Sequence, residues 1–171
     1  DRPALGLIVG ERCSLIVDGG NSAAHADEFL REVSALGVPT PRYLAVTHWH
    51  WDHTFGIDRM NLTTIAHTLT NEKLQWMGTL RWDDTSLEQR VKEGTEIEFC
   101  AVNIKKEHPD RDAIRIRPAD IAFDGSLSVD LGGVSCQIFL LGGEHSPDST
   151  VIYSPEAKVL FLGDGLCQEM F

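Results

Sequence analysis

Three of the chain's seven histidines fall inside one short run, Thr47-His48-Trp49-His50-Trp51-Asp52-His53. It follows Tyr43-Leu44-Ala45-Val46, an apolar stretch that reads as a buried strand. Side chains two apart on an extended chain point to the same side, so His48 and His50 can aim at one point, with Asp52 behind them. A turn into helix at Asp52-His53-Thr54 swings His53 round to join Asp52 at a second point nearby. The spacing thus offers two metal positions, one served by an imidazole pair and the other by a carboxylate with an imidazole. Those donors suit zinc, iron or manganese. Trp49 and Trp51 alternate away from both positions and read as packing residues rather than surfaces for a substrate.

Three more segments carry candidate chemistry. Leu15-Ile16-Val17-Asp18-Gly19-Gly20 runs a strand into an Asp-x-Gly turn, and Gly143-Glu144-His145-Ser146-Pro147-Asp148-Ser149 offers another histidine. Val159-Leu160-Phe161-Leu162-Gly163-Asp164 closes an apolar strand with a carboxylate. With His48-x-His50-x-Asp52-His53, and in this order, these segments resemble the signature of the metallo-β-lactamase-fold hydrolases, a superfamily of mostly dinuclear zinc enzymes. The likeness runs from about residue 5 to 166 and is looser at Glu144 and Asp148, where the family often has glycine.

The resemblance implies a ligand set and a reaction. His48, His50 and His145 would hold a first metal, Asp52 and His53 a second, and Asp164 would bridge both. Two divalent ions, Zn2+ foremost with iron or manganese as alternatives, sit roughly 3.5–4 Å apart in such sites, where they share and acidify a hydroxide and polarise the substrate oxygen. Asp52 is the implied catalytic residue, orienting the hydroxide and passing a proton towards the leaving group. Asp164 resembles the glyoxalase II-like thioesterases, lactonases and nucleases, since the antibiotic-degrading members usually have cysteine there. His50, where glutamate would stand in the diiron oxygen-reducing branch, argues against that branch.

The expected function is hydrolysis of a small carbonyl substrate: a thioester, lactone or other ester. Two alternatives stay open: a mononuclear iron dioxygenase acting on a sulfur substrate, and a metal-binding protein without turnover. The resemblance also implies a further second-metal histidine late in the chain. Only Leu166 to Phe171 follow Asp164, with no histidine among them, so the reading is a domain incomplete at its C-terminus and a weaker second site.

Around these residues the elements must form an α/β framework. Leu5 to Val9 and Cys13 to Val17 read as paired strands. Asn21 or Ser22 caps a helix with Ala26, Phe29, Leu30, Val33 and Leu36 on its apolar face, stopped by Gly37 and Pro39. Thr70 starts a short helix through Met77, and capping boxes at Thr85-x-x-Glu88 and Thr95-x-x-Glu98 start two more. From Ile121 the period switches to two, with hairpin signals at Asp124-Gly125 and Gly132-Gly133. The expected architecture is one α/β domain over 1–171, an αββα sandwich of the metallo-β-lactamase type, partial at its end.

Composition fits without adding a function. The 171 residues suit one core, and no apolar run is long enough to span a membrane. A formal charge of −11 argues against a nucleic-acid partner, which calls for clustered Lys and Arg. Cys13, Cys100, Cys136 and Cys167 form no C-x-x-C pair and read as free thiols of a reducing, cytoplasmic protein. The chain begins at Asp1, so an N-terminal segment is missing and a removed signal peptide is compatible with it. His25, His67 and His108 and the Lys105-Lys106 pair read as ordinary helix, strand-end and helix-terminus residues without a site role.

Overall fold

In the computed structural model, which describes residues 2–166, two sheets and one helical layer surround two cores. The first sheet runs in the order β1 (Gly6–Val9), β2 (Ser14–Val17), β3 (Pro41–Ala45), β4 (Thr63–His67), β5 (Ile121–Phe123). β1 is antiparallel to β2, and β2 to β5 are parallel. The second sheet is an antiparallel meander of β6 (Ser126–Asp130), β7 (Ser135–Leu140), β8 (Thr150–Ser154) and β9 (Val159–Phe161).

Parallel strands covered on both faces read as continuous apolar runs, and the two-residue alternation decides which core each side chain enters. Leu15, Val17, Ala45 and Ile65 meet Leu131, Cys136, Ile138 and Ile152 of the second sheet. Ile16, Leu44, Val46 and Ala66 point the other way, into the helices. That layer comprises α1 (Ala23–Ala35), α2 (Trp51–Thr54), α3 (Ile57–Met60), α4 (Thr68–Met77), α5 (Asp84–Glu93) and α6 (Glu98–Glu107), each adding residues to one cluster. The α/β class and the helix–sheet–sheet order of the sandwich are therefore present. Among the described residues no helix is long and apolar enough to cross a membrane.

Several local expectations change. Ser22 caps α1 by accepting from the His25 N–H at 3.1 Å, but Leu36 lies past the last turn and is exposed. α5 is capped by Asp83, whose carboxylate takes the Ser86 N–H at 3.0 Å, not by Thr85 two residues on. Thr95 is spent on the end of α5, bonding the Arg90 carbonyl, so α6 starts at Glu98 with Ile97 at its N-cap and no side-chain cap. α4 begins two residues before Thr70, because His67 accepts from the Leu69 N–H at 3.2 Å. Asp124-Gly125 is not a hairpin: β5 pairs in parallel with β4, and the turn carries the chain across to the second sheet. Gly132-Gly133 does close a hairpin, between β6 and β7. His25 is buried. Cys13 and Cys136 are buried free thiols and Cys100 a half-buried one, while Cys167 lies outside the described residues.

The turn after β2 and the turn between α2 and α3 touch backbone to backbone. The Gly19 N–H donates to His53 O at 2.7 Å and the Gly56 N–H to Gly20 O at 3.0 Å. A Cβ on Gly56 would stand 2.1 Å from Gly19 O and 2.8 Å from Ser22 O, both backbone atoms that cannot rotate aside. Gly56→Ala should therefore cost about 1–3 kcal/mol. At roughly 2–4 °C per kcal/mol for a chain of this size, thermal unfolding should move down by several degrees. An unchanged midpoint would show that this junction yields easily.

Candidate metal centre

The parallel strands β2, β3 and β4 all end at one rim, and the candidate residues hang from those ends, as expected at the carboxyl edge of an α/β sheet. His48 and His50 follow β3, while His53 turns back on α2. His145 comes from the β7–β8 loop of the other sheet, and Asp164 from the turn after β9. Two hydrogen bonds fasten the sheets here: the Thr150 N–H donates to Thr47 O at 2.7 Å, and the Trp49 N–H donates to the Asp148 carboxylate at 2.9 Å. Gly163, at φ +52°, lets the β9 turn lie on Thr47, where a Cβ would come within 2.6 Å of Oγ1.

Two groups of donor atoms result. His145 Nε2 lies 3.3 Å from His48 Nε2 and 3.0 Å from His50 Nδ1. His48 also joins His53 and Asp164 in a second group, so its imidazole faces both. Asp164 stands between them, with Oδ1 3.4 Å from His53 Nε2 and Oδ2 3.7 Å from His145 Nε2. Asp52, 3.7 Å from His53 Nε2 through Oδ2, flanks the second group from outside. All six residues picked from the sequence thus lie at one place.

The protonation pattern suits a cation. Burial, then the neighbouring imidazoles His53, His50 and His145, drive the His48 pKa far below the ordinary histidine range. Burial and then His145 bring His50 down to about 4. Both rings are therefore neutral at pH 7, and their nitrogen lone pairs repel unless a proton or cation lies among them. Burial also opposes charge on His53, but Asp18, Asp164 and Asp52 outweigh it and hold its pKa well above the usual value. Asp52 is raised, first by burial and then by the carboxylates of Asp164 and Asp18. Asp164 is lowered, chiefly by the His53 imidazole beside it. His53 Nε2 is buried without a hydrogen-bond partner, the kind of orphaned nitrogen that a metal ion satisfies.

Two residues without a role in the sequence reading organise this centre. Asp18 is buried and adopts φ +66°, costly for a non-glycine residue and typical of functional turns. Its carboxylate accepts from the Thr47 N–H at 2.7 Å, from Thr47 Oγ1 and from His53 Nδ1 at 2.8 Å. The last bond fixes the tautomer that leaves Nε2 free for a ligand role. Asp148, quoted only as a departure from glycine, is also buried and accepts from the Trp49 N–H, from Thr70 Oγ1 at 2.8 Å and from Ser146 Oγ. It ties the His145 loop to the histidine run and to α4. A sequence signal existed for Asp18, a carboxylate that closes the apolar run 15–17 and must therefore be paired.

Trp51 is buried against Phe55 as expected. Trp49 is only half-buried: besides packing on the helical core, its ring meets the His50 ring edge-on at 4.9 Å. A cleft of about 360 Å³, lined by Leu5, Val17 and Phe161 among others, reaches Asp18, His53 and Asp164.

A family model described as the metallo-β-lactamase superfamily matches residues 4–169. No curated protein sequence matches at a significant level. Among solved structures, a metallo-β-lactamase from Pontibacter korlensis is similar at 19% identity, covering 91% of this chain and 57% of that chain with a TM-score of 0.60. A HARLDQ-motif mutant metallo-β-lactamase from Cronobacter sakazakii is 24% identical, covering 93% and 53% with a TM-score of 0.58. The subclass B3 enzyme BJP-1 of Bradyrhizobium japonicum is 18% identical, covering 88% and 50% with a TM-score of 0.59. The chain spans about half the length of the solved structures it matches.

Proposed function

This chain belongs to the metallo-β-lactamase superfamily, and on that premise we propose that it is a dinuclear metallohydrolase of the glyoxalase II-like or lactonase-like branch, acting on a small ester, thioester or lactone. The observation that carries the proposal is the placement of Asp164, one oxygen towards His53 and the other towards His145. A single carboxylate set between two donor groups suits a pair of cations. In this reading His48, His50 and His145 hold the first ion, Asp52 and His53 the second, and Asp164 both. Divalent ions bound there, zinc foremost, would make water acidic at neutral pH and polarise a carbonyl oxygen.

The chain's own residues do the rest. Asp18 holds His53 in register, Asp148 holds the His145 loop against the histidine run, and Asp52 is placed to accept a proton from water and pass it to the leaving group. The solved neighbours are β-lactamases by name, but the likeness to them is one of fold, and the aspartate at 164 supports a different substrate class. The reading extends to one domain over the whole chain, free of nucleic acid and membrane.

The test combines metal analysis with a substrate screen. The expected result is close to two equivalents of zinc or manganese, together with hydrolysis of at least one thioester or lactone. A single iron with oxygen consumption on a sulfur substrate would replace the proposal by the dioxygenase alternative. Metal binding without any turnover would leave a metal-binding protein.

A further inference from the structure

Beside the imidazoles lies a feature that metal binding does not use. α4 presents Leu69, Lys73 and Trp76 at positions four and three apart, which places them on one helix face. Leu69 is 39% and Trp76 42% exposed, so both apolar side chains are open to a ligand. The Lys73 ammonium lies 5.3 Å from the centroid of Trp49 and 5.6 Å from that of Trp76, and the two indoles meet edge-on at 6.0 Å. Trp49 in turn adjoins His50, which touches His48 and His145. Lys73 Nζ is therefore within about 10 Å of the His50 ring.

Among the described residues Lys73 enters no salt bridge, although the chain carries 26 acidic residues against 15 lysines and arginines. Lys73 is exposed, so an ammonium resting over two indoles can still turn an N–H towards an anion, with an apolar floor beside it. That combination recognises a carboxylate joined to a short apolar chain, the ammonium taking the charge and the indoles and Leu69 taking the methylenes.

We propose that Lys73, with Trp49 and Trp76, forms a subsite selecting ester or thioester substrates that carry a carboxylate a short chain away from the reacting carbonyl. The proposal rests on the hydrolase reading above and narrows its substrate class. Lys73 is a specificity-determining residue in it, not a catalytic one. If the lysine merely packed on the indoles, its loss would alter stability and leave substrate preference untouched.

The test uses the zinc-loaded full chain and two substrates, monophenyl glutarate and its methyl-capped neutral counterpart. Losing a charge-assisted contact should lower the anionic-to-neutral ratio of kcat/KM about tenfold in Lys73→Met, mainly through KM. Lys73→Arg should recover most of the ratio, and Lys92→Met, on exposed α5, should leave it as it was. A ratio unchanged in Lys73→Met, with zinc content retained, overturns the subsite. If the unsubstituted chain hydrolyses neither ester, the subsite is judged by binding alone, and the hydrolase reading fails only where the thioester and lactone screen is blank as well. Glutarate should then change tryptophan emission in the unsubstituted chain and not in Lys73→Met. An equal response in both, or none in either, overturns it.

Discussion

Asp52→Asn should lower ester hydrolysis by roughly 10²–10⁴-fold, the loss expected when a positioned proton acceptor is removed. The change keeps the side chain's shape and deletes its charge. Asp52 sits at the start of a four-residue helix with its carboxylate towards His53 and half-shielded from solvent, so the asparagine fits where the aspartate was. His48, His50 and His145 are untouched, and the first ion should stay while the second is held less well. The buried residues of both cores are also untouched, so circular dichroism should be unchanged. Turnover, metal content and circular dichroism measured together decide the matter. Full activity in the asparagine protein would sink the two-metal hydrolase.

His48→Ala should have the larger effect on binding. His48 is almost fully buried and is the one imidazole shared by both donor groups, so its removal takes a ligand from each. Loss of a partner behind a ligand already costs roughly 10–100-fold in metal affinity, and loss of a shared ligand should exceed that for both ions. Hydrolysis should disappear with them. Some stability should go as well, because Thr47 Oγ1 loses its 3.0 Å partner on His48 Nδ1 and a small cavity opens. His48→Gln, which refills much of the volume, separates the two effects: it should refold as the parent does and still fail to hold metal. Metal content near the parent's in the glutamine protein would remove His48 from the ligand set.

The site was more legible in the sequence than the scaffold around it. Alternation alone placed His48 and His50 together, and a strand followed by a helix start placed His53 beside Asp52. Those inferences depend only on backbone period, which is local. His145 and Asp164 could be joined to them only through the resemblance, since nothing local says that loops 97 and 116 residues away return to the same rim. Asp18 and Asp148 went unassigned because their work lies in which backbone N–H and hydroxyl groups they meet, and a sequence does not show its partners. The caps failed for a related reason. Thr85 and Thr95 fit the pattern, but Asp83 offered a charged acceptor two residues earlier, and the end of α5 claimed Thr95 first. Asp124-Gly125 misled because a turn between two sheets uses the same residues as a turn between two neighbouring strands.

The division of the centre between two sheets also bears on the order in which the molecule assembles. His48, His50 and His53 belong to a stretch whose partners, Asp18 and the β2–β4 strands, are supplied by the first 67 residues. The ties that bring in His145 run from Trp49 to Asp148 and from Thr47 to Thr150, each closing a loop of about a hundred residues. Loops of that length close at a high entropic cost, and non-local pairings of this kind set the pace of folding. An intermediate with the parallel sheet and its helices in place would hold three imidazoles without the histidine that gathers them. Were the sheets to assemble in that order, the centre would be completed only when the second sheet docks in register.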